Sequence, residues 1–416
     1  MRQLPRGLWV LLAANVVIAL GYGLIAPALP IFASTFGVSV TAASAVVSAF
    51  AVMRLLFAPA GGRLVTVLGE RRIYLTGLLI VALSTFACAF AGSYWQLLLY
   101  RGLGGIGSTM FTISAMALLI RMTPPQIRGQ ASGYFSAGFL IGSLTGPLIG
   151  AALVGFGLRL PFVVYAIALL IAAAVVAVTL PPQPGSAPDE EPSEPAAQPA
   201  AEPAAISFRQ ALGDRAYRAI LASNFAQGWA SMGVRIALVP LFVTEALHES
   251  TGWAGIILTF YAAGNMIAIL TAGKLSDRYG RRRLMLPGLA IAAASTLTLG
   301  YSPSLTVAVA LTTVAGLGSG LFAPTHQAAL ADVLGNRQRG GSALAAYGMS
   351  SDLGAVSGPI LAGWCAAAFG FGPAFLLTGC VLLLALALWS FAPETNPALA
   401  EAGRRGVSSR CRRCSD

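Results

Sequence analysis

Twelve long apolar runs constrain this chain more than any other feature. They fall near 8–32, 41–61, 73–91, 95–120, 131–155 and 161–180, then near 217–244, 253–273, 284–301, 305–331, 342–368 and 373–392. About 20 residues of helix cross the hydrocarbon of a bilayer, and every run is near or above that length. In lipid a backbone N–H or C=O finds no water partner, so only helices and closed barrels span it. Runs this long without polar–apolar alternation do not suit a barrel. Apolar residues make up 56% of the 416 positions and charged residues only 10%, more apolar surface than a soluble domain could bury. The expected fold is an all-α membrane protein with twelve transmembrane helices.

The net charge of +11 would suit a nucleic-acid partner if it gathered on one folded face, but it is spread by topology. Of the 26 Lys and Arg, Arg54, Arg101 and Arg235 lie inside apolar runs and Arg159 lies in a loop of one set. The others lie in the alternate loops and the tails. That asymmetry is the positive-inside pattern, and it predicts a multi-pass protein of the cell (inner) membrane with both termini cytoplasmic. No nucleic-acid partner is expected. The first run is too long for a signal-peptide core, and more spans follow it. Cys88, Cys365 and Cys380 sit in apolar runs, and Cys411-x-x-Cys414 lacks the second pair that a zinc site needs.

The chain is one unit used twice. Gly62, Leu64, Gly69, Arg71 and Arg72 stand 211 residues before Gly273, Leu275, Gly280, Arg282 and Arg283. The same offset pairs Gly105-Ile106-Gly107-Ser108 with Gly316-Leu317-Gly318-Ser319. With one residue inserted, Gly142, Gly146-Pro147 and Pro161 match Gly354, Gly358-Pro359 and Pro373. A basic loop recurs at one place in each half, so the two copies share an orientation. This predicts two six-helix bundles, 1–180 and 216–392. A Pro/Ala/Glu-rich cytoplasmic linker at 181–215 joins them, and a basic tail at 393–416 lies against headgroups.

The charged stretch Asp277-Arg278-x-Gly280-Arg281-Arg282 resembles the loop between the second and third helices of each half in the major facilitator superfamily. The resemblance covers residues 8–392. Gly142-x-x-x-Gly146-Pro147-x-x-Gly150 is similar to the fifth-helix motif of the superfamily's antiporters, with Ala151 where a last glycine is usual. Leu20-Gly21 followed by Pro27-Ala28-Leu29-Pro30 resembles the first-helix pattern of the twelve-helix drug–proton antiporters. The resemblance implies a multidrug-type efflux carrier working by alternating access. It gives Asp277, Arg278 and Arg281 the role of latching helix ends when the cytoplasmic side is closed. Thr66 and Val67 replace Asp277 and Arg278 in the first half, a departure from the pattern. Arg101, in Arg101-Gly102-Leu103-Gly104-Gly105-x-Gly107, matches the fourth-helix motif whose arginine the resemblance ties to proton coupling. Helices one, four, seven and ten are implied to line the cavity.

Charges inside apolar runs are costly, so each should face protein or water. Asp352 is the carboxylate farthest from a helix end, which makes it, with Arg101, a proton-coupling candidate. Arg54 precedes Gly62 by eight residues, about 12 Å along a helix, and Asp352 follows Ser342 by ten, about 15 Å. In the resemblance, helices two and eleven face one another. The matching depths then predict an Arg54–Asp352 gate that closes the cytoplasmic side and parts when that side opens. Substrate-binding candidates are Tyr22, Arg101, Gln227, Trp229, Arg235, Tyr261, Asn265, Phe322 and His326. Gly138, Gly142, Gly146 and Gly150, four apart and with Pro147 beside the third, should let a neighbouring helix approach closely, either as simple packing or as a sliding contact between halves.

No GxxxxGK[ST] loop, nucleophile–base pair or metal-ligand cluster is legible, so no enzyme activity, metal or cofactor is expected. The expected function is proton-coupled antiport that exports a small amphipathic molecule, neutral or acidic because Arg101 and Arg235 set a positive field. The expected partners of this monomer are the substrate, protons and lipid. A proton-coupled or facilitated uptake carrier is the alternative within the class. A transport-inactive membrane sensor or scaffold is the alternative outside it.

Overall fold

The computed structural model describes residues 6–123, 128–180, 208–335 and 342–396. Most of the linker, the basic tail and the Cys411–Cys414 pair lie outside the described residues. Twelve helices follow in chain order. The first half holds α1 (Gly7–Ser34, with a turn at Ala26–Pro27), α2 (Val40–Leu68), α3 (Glu70–Ala89), α4 (Tyr94–Met122), α5 (Ala131–Val154) and α6 (Leu160–Thr179). The second holds α7 (Arg215–Ala246), α8 (Thr251–Tyr279), α9 (Arg281–Leu299), α10 (Leu305–Leu334), α11 (Ser342–Phe369) and α12 (Phe371–Ser390). Eleven are long and apolar enough to cross a membrane unaided. The exception is α9, whose first turn is Arg281-Arg282-Arg283. It takes its place by packing against α10 and α12. The last residues of the expected linker fold as a short helix, Phe208–Leu212, tied to α11 by a 2.8 Å bond from the Phe208 N–H to Ser342 Oγ.

Local chemistry sets the ends. Ser39, Ser93 and Ser304 cap α2, α4 and α10 by accepting from a backbone N–H three residues on, and Asp214 caps α7 by accepting from that of Ala216, two residues on. The expected loops after the second and eighth helices are hardly loops. Helices α2 and α8 run to Leu68 and Tyr279, 29 residues each, and a single glycine separates each from the next helix. Gly69 (φ +83°) and Gly280 (φ +103°) sit where a side chain would be strained, and 211 residues apart. A polar sequence does not stop a helix that has left the lipid, whereas a positive φ does.

The repeat holds in three dimensions. Gly142 and Gly146 of α5 pack on the α1 backbone, and their counterparts Gly354 and Gly358 of α11 pack on that of α7. A Cβ at Gly23 would stand 2.7 Å from Pro147 Cδ, and one at Gly233 would stand 2.7 Å from Pro359 Cδ. The glycine stripe Gly138–Gly150 is therefore a close contact inside the first bundle and not a sliding surface between halves. Contact between halves comes from the other faces of the same helices. At the end away from the basic loops, a Cβ at Gly255 would be 2.6 Å from Ala151 Cβ, and one at Gly363 would be 2.8 Å from Ser44 Cβ. Thr41 Oγ1 donates to the Gly363 carbonyl (3.2 Å) and Ser48 Oγ to that of Val356 (2.8 Å). Toward the basic end, a Cβ at Gly62, Gly133, Gly273 or Gly348 would meet nothing within 4 Å.

Candidate functional site: the cavity between the halves

A cavity of about 360 Å³ lies between the halves. Its wall is mostly apolar, with Tyr22, Arg54, Arg101 and Asp352 among its polar lining and Met232 and Ile236 contributed by α7. Arg101 on α4 is buried, with its guanidinium 4.1 Å from the centre of the Phe50 ring and its Nε unpartnered. A ring face attracts the cation without occupying its N–H edge.

Arg54 on α2 and Asp352 on α11 are 3.6 Å apart. Their side chains are 36% and 26% exposed, so water reaches both and the pair is screened. The pairing expected from helical depth is present. It lies at the end of the packed α2–α11 seam, just beyond the Ser48–Val356 bond. A cycle of Arg54→Ala and Asp352→Ala should give a coupling of about 0.5–1 kcal/mol in thermal stability, as for a half-exposed pair. Strict additivity would show that the contact carries nothing.

Arg235 sits one layer back. Its Nε donates to the Ser231 carbonyl (3.0 Å), and its guanidinium lies 4.0 Å from the centre of the Tyr261 ring. It lines a smaller chamber of about 40 Å³ inside the second bundle, together with Tyr261 and Phe322. Hydroxyls join behind it: Tyr261 Oη to Ser231 Oγ at 2.7 Å, Ser231 Oγ to Ser319 Oγ at 3.3 Å, and Ser319 donating to Gln227 Oε1 at 3.1 Å. Helix α7 is wound as π-helix over Gly228–Val234 and Phe242–Ala246, either side of Arg235, a wide winding often found at functional sites.

Four of the expected substrate-binding residues lie outside the lining of both chambers. Gln227 faces Ser319, and Trp229 donates to Thr378 Oγ1 (3.3 Å) within its own bundle. Asn265 packs its backbone against α10 glycines. His326 is buried edge-on to Tyr347, ring centres 5.8 Å apart, with Nδ1 unpartnered. Phe50 has no polar group to single it out in the sequence, yet it stands 211 residues before Tyr261. Both aromatics hold an arginine.

The charged motif ties helices within the second half. Arg281 pairs with Asp332 (2.9 Å) and Asp277 and donates to Ser276 Oγ (2.9 Å), while Arg278 is exposed beside Tyr279. Gly280 offers no capping side chain, and Glu394 supplies one, accepting from the N–H groups of Arg281 (2.8 Å) and Arg282 (3.1 Å). The first half is not simply worn. Glu70 and Arg121 occupy the positions 211 residues before Arg281 and Asp332, and they pair at 2.9 Å with the charges exchanged. Arg281→Ala should strand the nearly buried Asp332 and cost about 3 kcal/mol, visible as a lower Tm. Arg278→Ala should leave the Tm unchanged.

Two repeated helical bundles with a cavity between them define a membrane transporter and not an enzyme. The chain belongs to the major facilitator superfamily, whose family model matches residues 11–234 and again 220–412. It is 27% identical over 377 residues to Multidrug resistance protein 2 of Bacillus subtilis, covering 86% of this chain and 88% of that one. It is also 32% identical over 168 residues to the quinolone resistance protein NorA of Staphylococcus aureus, covering 40% and 43% of the two chains. Among solved structures, a bacterial homologue of the human lysosomal transporter Spinster, inward-facing and unoccupied, superposes with TM-score 0.74 at 19% identity over 92% of this chain and 95% of that one. A D-xylose–proton symporter does so with TM-score 0.72 at 18% identity over 93% and 98%. At these identities the solved structures speak for the fold alone.

Proposed function

We propose that this carrier exports a small amphipathic molecule, neutral or acidic, in exchange for protons. The observation that carries the reading is the cavity itself. It is large enough for a drug-sized guest, apolar over most of its wall, and Asp352 is the carboxylate that lines it. The names of the similar resistance proteins support export. In this reading the basic end is cytoplasmic, both termini lie on that side of the cell membrane, and the carrier works as a monomer of two bundles, 1–180 and 216–392. Asp352 carries the proton, with Arg101 beside the path, and proton uptake loosens Arg54 from Asp352. The inter-half contacts at Ser44–Gly363 and Ala151–Gly255 part as the basic end closes.

Everted vesicles test the reading. Imposing an acid interior should raise accumulation of an amphipathic fluorescent substrate several-fold over vesicles lacking the protein. Accumulation that ignores the gradient would overturn proton exchange, and gradient-driven loss of substrate from the lumen would reverse the direction.

A further inference from the structure

Arg235 is the one charged residue in the wall of the small chamber inside the second bundle. Among the described residues no carboxylate stands within ion-pair distance of it. Asp352 belongs to the wall of the larger cavity and is engaged there by Arg54. A guanidinium stays protonated, so its charge has to be met inside the chamber. The group is firmly placed. Its flat face lies on the Tyr261 ring, 4.0 Å from the centre, and its Nε donates to the Ser231 carbonyl (3.0 Å). The π-helical turn of α7 makes that bond possible, because it sends the Arg235 backbone N–H to the Ala230 carbonyl, five residues back.

Hydrogen bonds in the chamber wall leave free donors in one place only. Thr296, Thr312 and Thr378 give their protons to the carbonyls of Ala292 (2.7 Å), Ala308 (2.6 Å) and Ala374 (3.0 Å). Ser319 gives its proton to Gln227 Oε1, so Ser231 donates to Ser319 and Tyr261 to Ser231. Arg235 has spent one of the five N–H groups of a guanidinium, and its terminal nitrogens make no hydrogen bond among the described residues. The chamber therefore holds a fork of unused cationic donors beside hydroxyl oxygens that can only accept.

That is the complement of a hydrated anion. The ion takes the guanidinium edge, while water takes the oxygen lone pairs and turns its other proton to the ion. Size decides which anion. At about 10–15 Å³ for each water-sized body, a chamber of about 40 Å³ holds about three, enough for a monatomic ion with its water. An amphipathic acid needs the cavity of about 360 Å³. Water alone would fill the chamber and leave a bare cation in a poor solvent, which is costly, and an aromatic face returns only part of that cost.

We infer that the chamber of the second bundle binds a halide ion, chloride or bromide, on the free edge of Arg235. The site goes beyond the transport reading. It is separate from the cavity proposed for the substrate, and it gives the core of the second bundle a counter-charge whatever the carrier moves.

The test is thermal unfolding of the full chain in phosphatidylcholine nanodiscs as sodium chloride replaces sodium gluconate at constant ionic strength. Chloride should raise the Tm by a few degrees with a saturable midpoint, as a ligand held only by the folded state does. Bromide should do the same, and the larger, divalent sulfate should give no saturable step. Arg235→Gln should remove the step. Arg235→Lys, which keeps the charge without the planar fork, should move the midpoint to about tenfold higher chloride. Arg101→Gln should keep the midpoint of the parent chain. A Tm without a saturable chloride step, or the same step with all three anions, would leave the chamber to water and overturn the site. So would a step that survives Arg235→Gln, or one that vanishes with Arg101→Gln instead. If Arg235→Gln fails to fold, Arg235→Lys decides alone, and a midpoint equal to that of the parent chain would overturn the proposal.

Discussion

Asp352→Asn should abolish substrate movement driven by a pH gradient, by about a hundredfold or more, while substrate binding in the absence of a gradient changes less than about threefold. The asymmetry follows from what the amide keeps and loses. Asparagine preserves the shape of the cavity wall and can still hydrogen-bond Arg54, but it carries no exchangeable charge. Asp352 lines the cavity, is reached by water, and holds Arg54 at 3.6 Å across the two halves. Proton uptake there removes an attraction between α2 and α11 at the point where their packed seam ends. A screened pair is suited to this, because its loss is small enough to be reversed by a proton and yet acts on two rigid helices at once. Reconstituted vesicles with and without an imposed gradient separate the two outcomes. Gradient-driven transport that survives in Asp352→Asn would remove this carboxylate from the coupling step.

Helix number and the twofold repeat were legible because lipid imposes a length on every span and because small residues recur where backbones touch. Gly142, Gly146-Pro147 and their partners Gly354 and Gly358-Pro359 are the same contact made twice. The Arg54–Asp352 pairing was legible because charges are scarce and the helical rise is fixed, so depth can be counted. Facing direction was harder. With lipid outside and apolar packing inside, no face of α7 or α10 stands out, and so Gln227, Trp229 and His326 passed as cavity residues while Phe50 did not. The exchanged pair Glu70–Arg121 escaped because the repeat was read by identity, whereas an ion pair conserves only opposite sign. The π-helical winding around Arg235 has no residue pattern that announces it.

Gly363→Leu should lower transport more than about tenfold and shift the carrier toward the form open at the end away from the basic loops. The cause is steric. Even a Cβ at Gly363 would lie 2.8 Å from Ser44 Cβ and 2.9 Å from its Oγ, and the Thr41 backbone stands just behind, 3.3 Å from that Cβ. Ser44 is fully buried, and its Cβ, fixed to the backbone, cannot rotate out of the way. A branched side chain must therefore push α2 from α11. Overpacking of this kind costs about 1–3 kcal/mol, which is roughly a five- to 150-fold change in a two-state population. Gly255→Leu, pressed on Ala151 and on the Pro147 carbonyl, should do the same at the repeat-related seam. Gly62→Leu and Gly348→Leu provide the opposite control. Nothing lies within 4 Å of either position here, so this conformation should tolerate them. If the basic end closes during the cycle, they should trap the carrier as it stands. A cysteine placed at Thr41 reports the result: a membrane-impermeant maleimide added at the far side should label it faster in Gly363→Leu and more slowly in Gly348→Leu. Equal labelling in the two variants would show that the α2–α11 seam does not open, and that alternating access in this protein turns on some other contact.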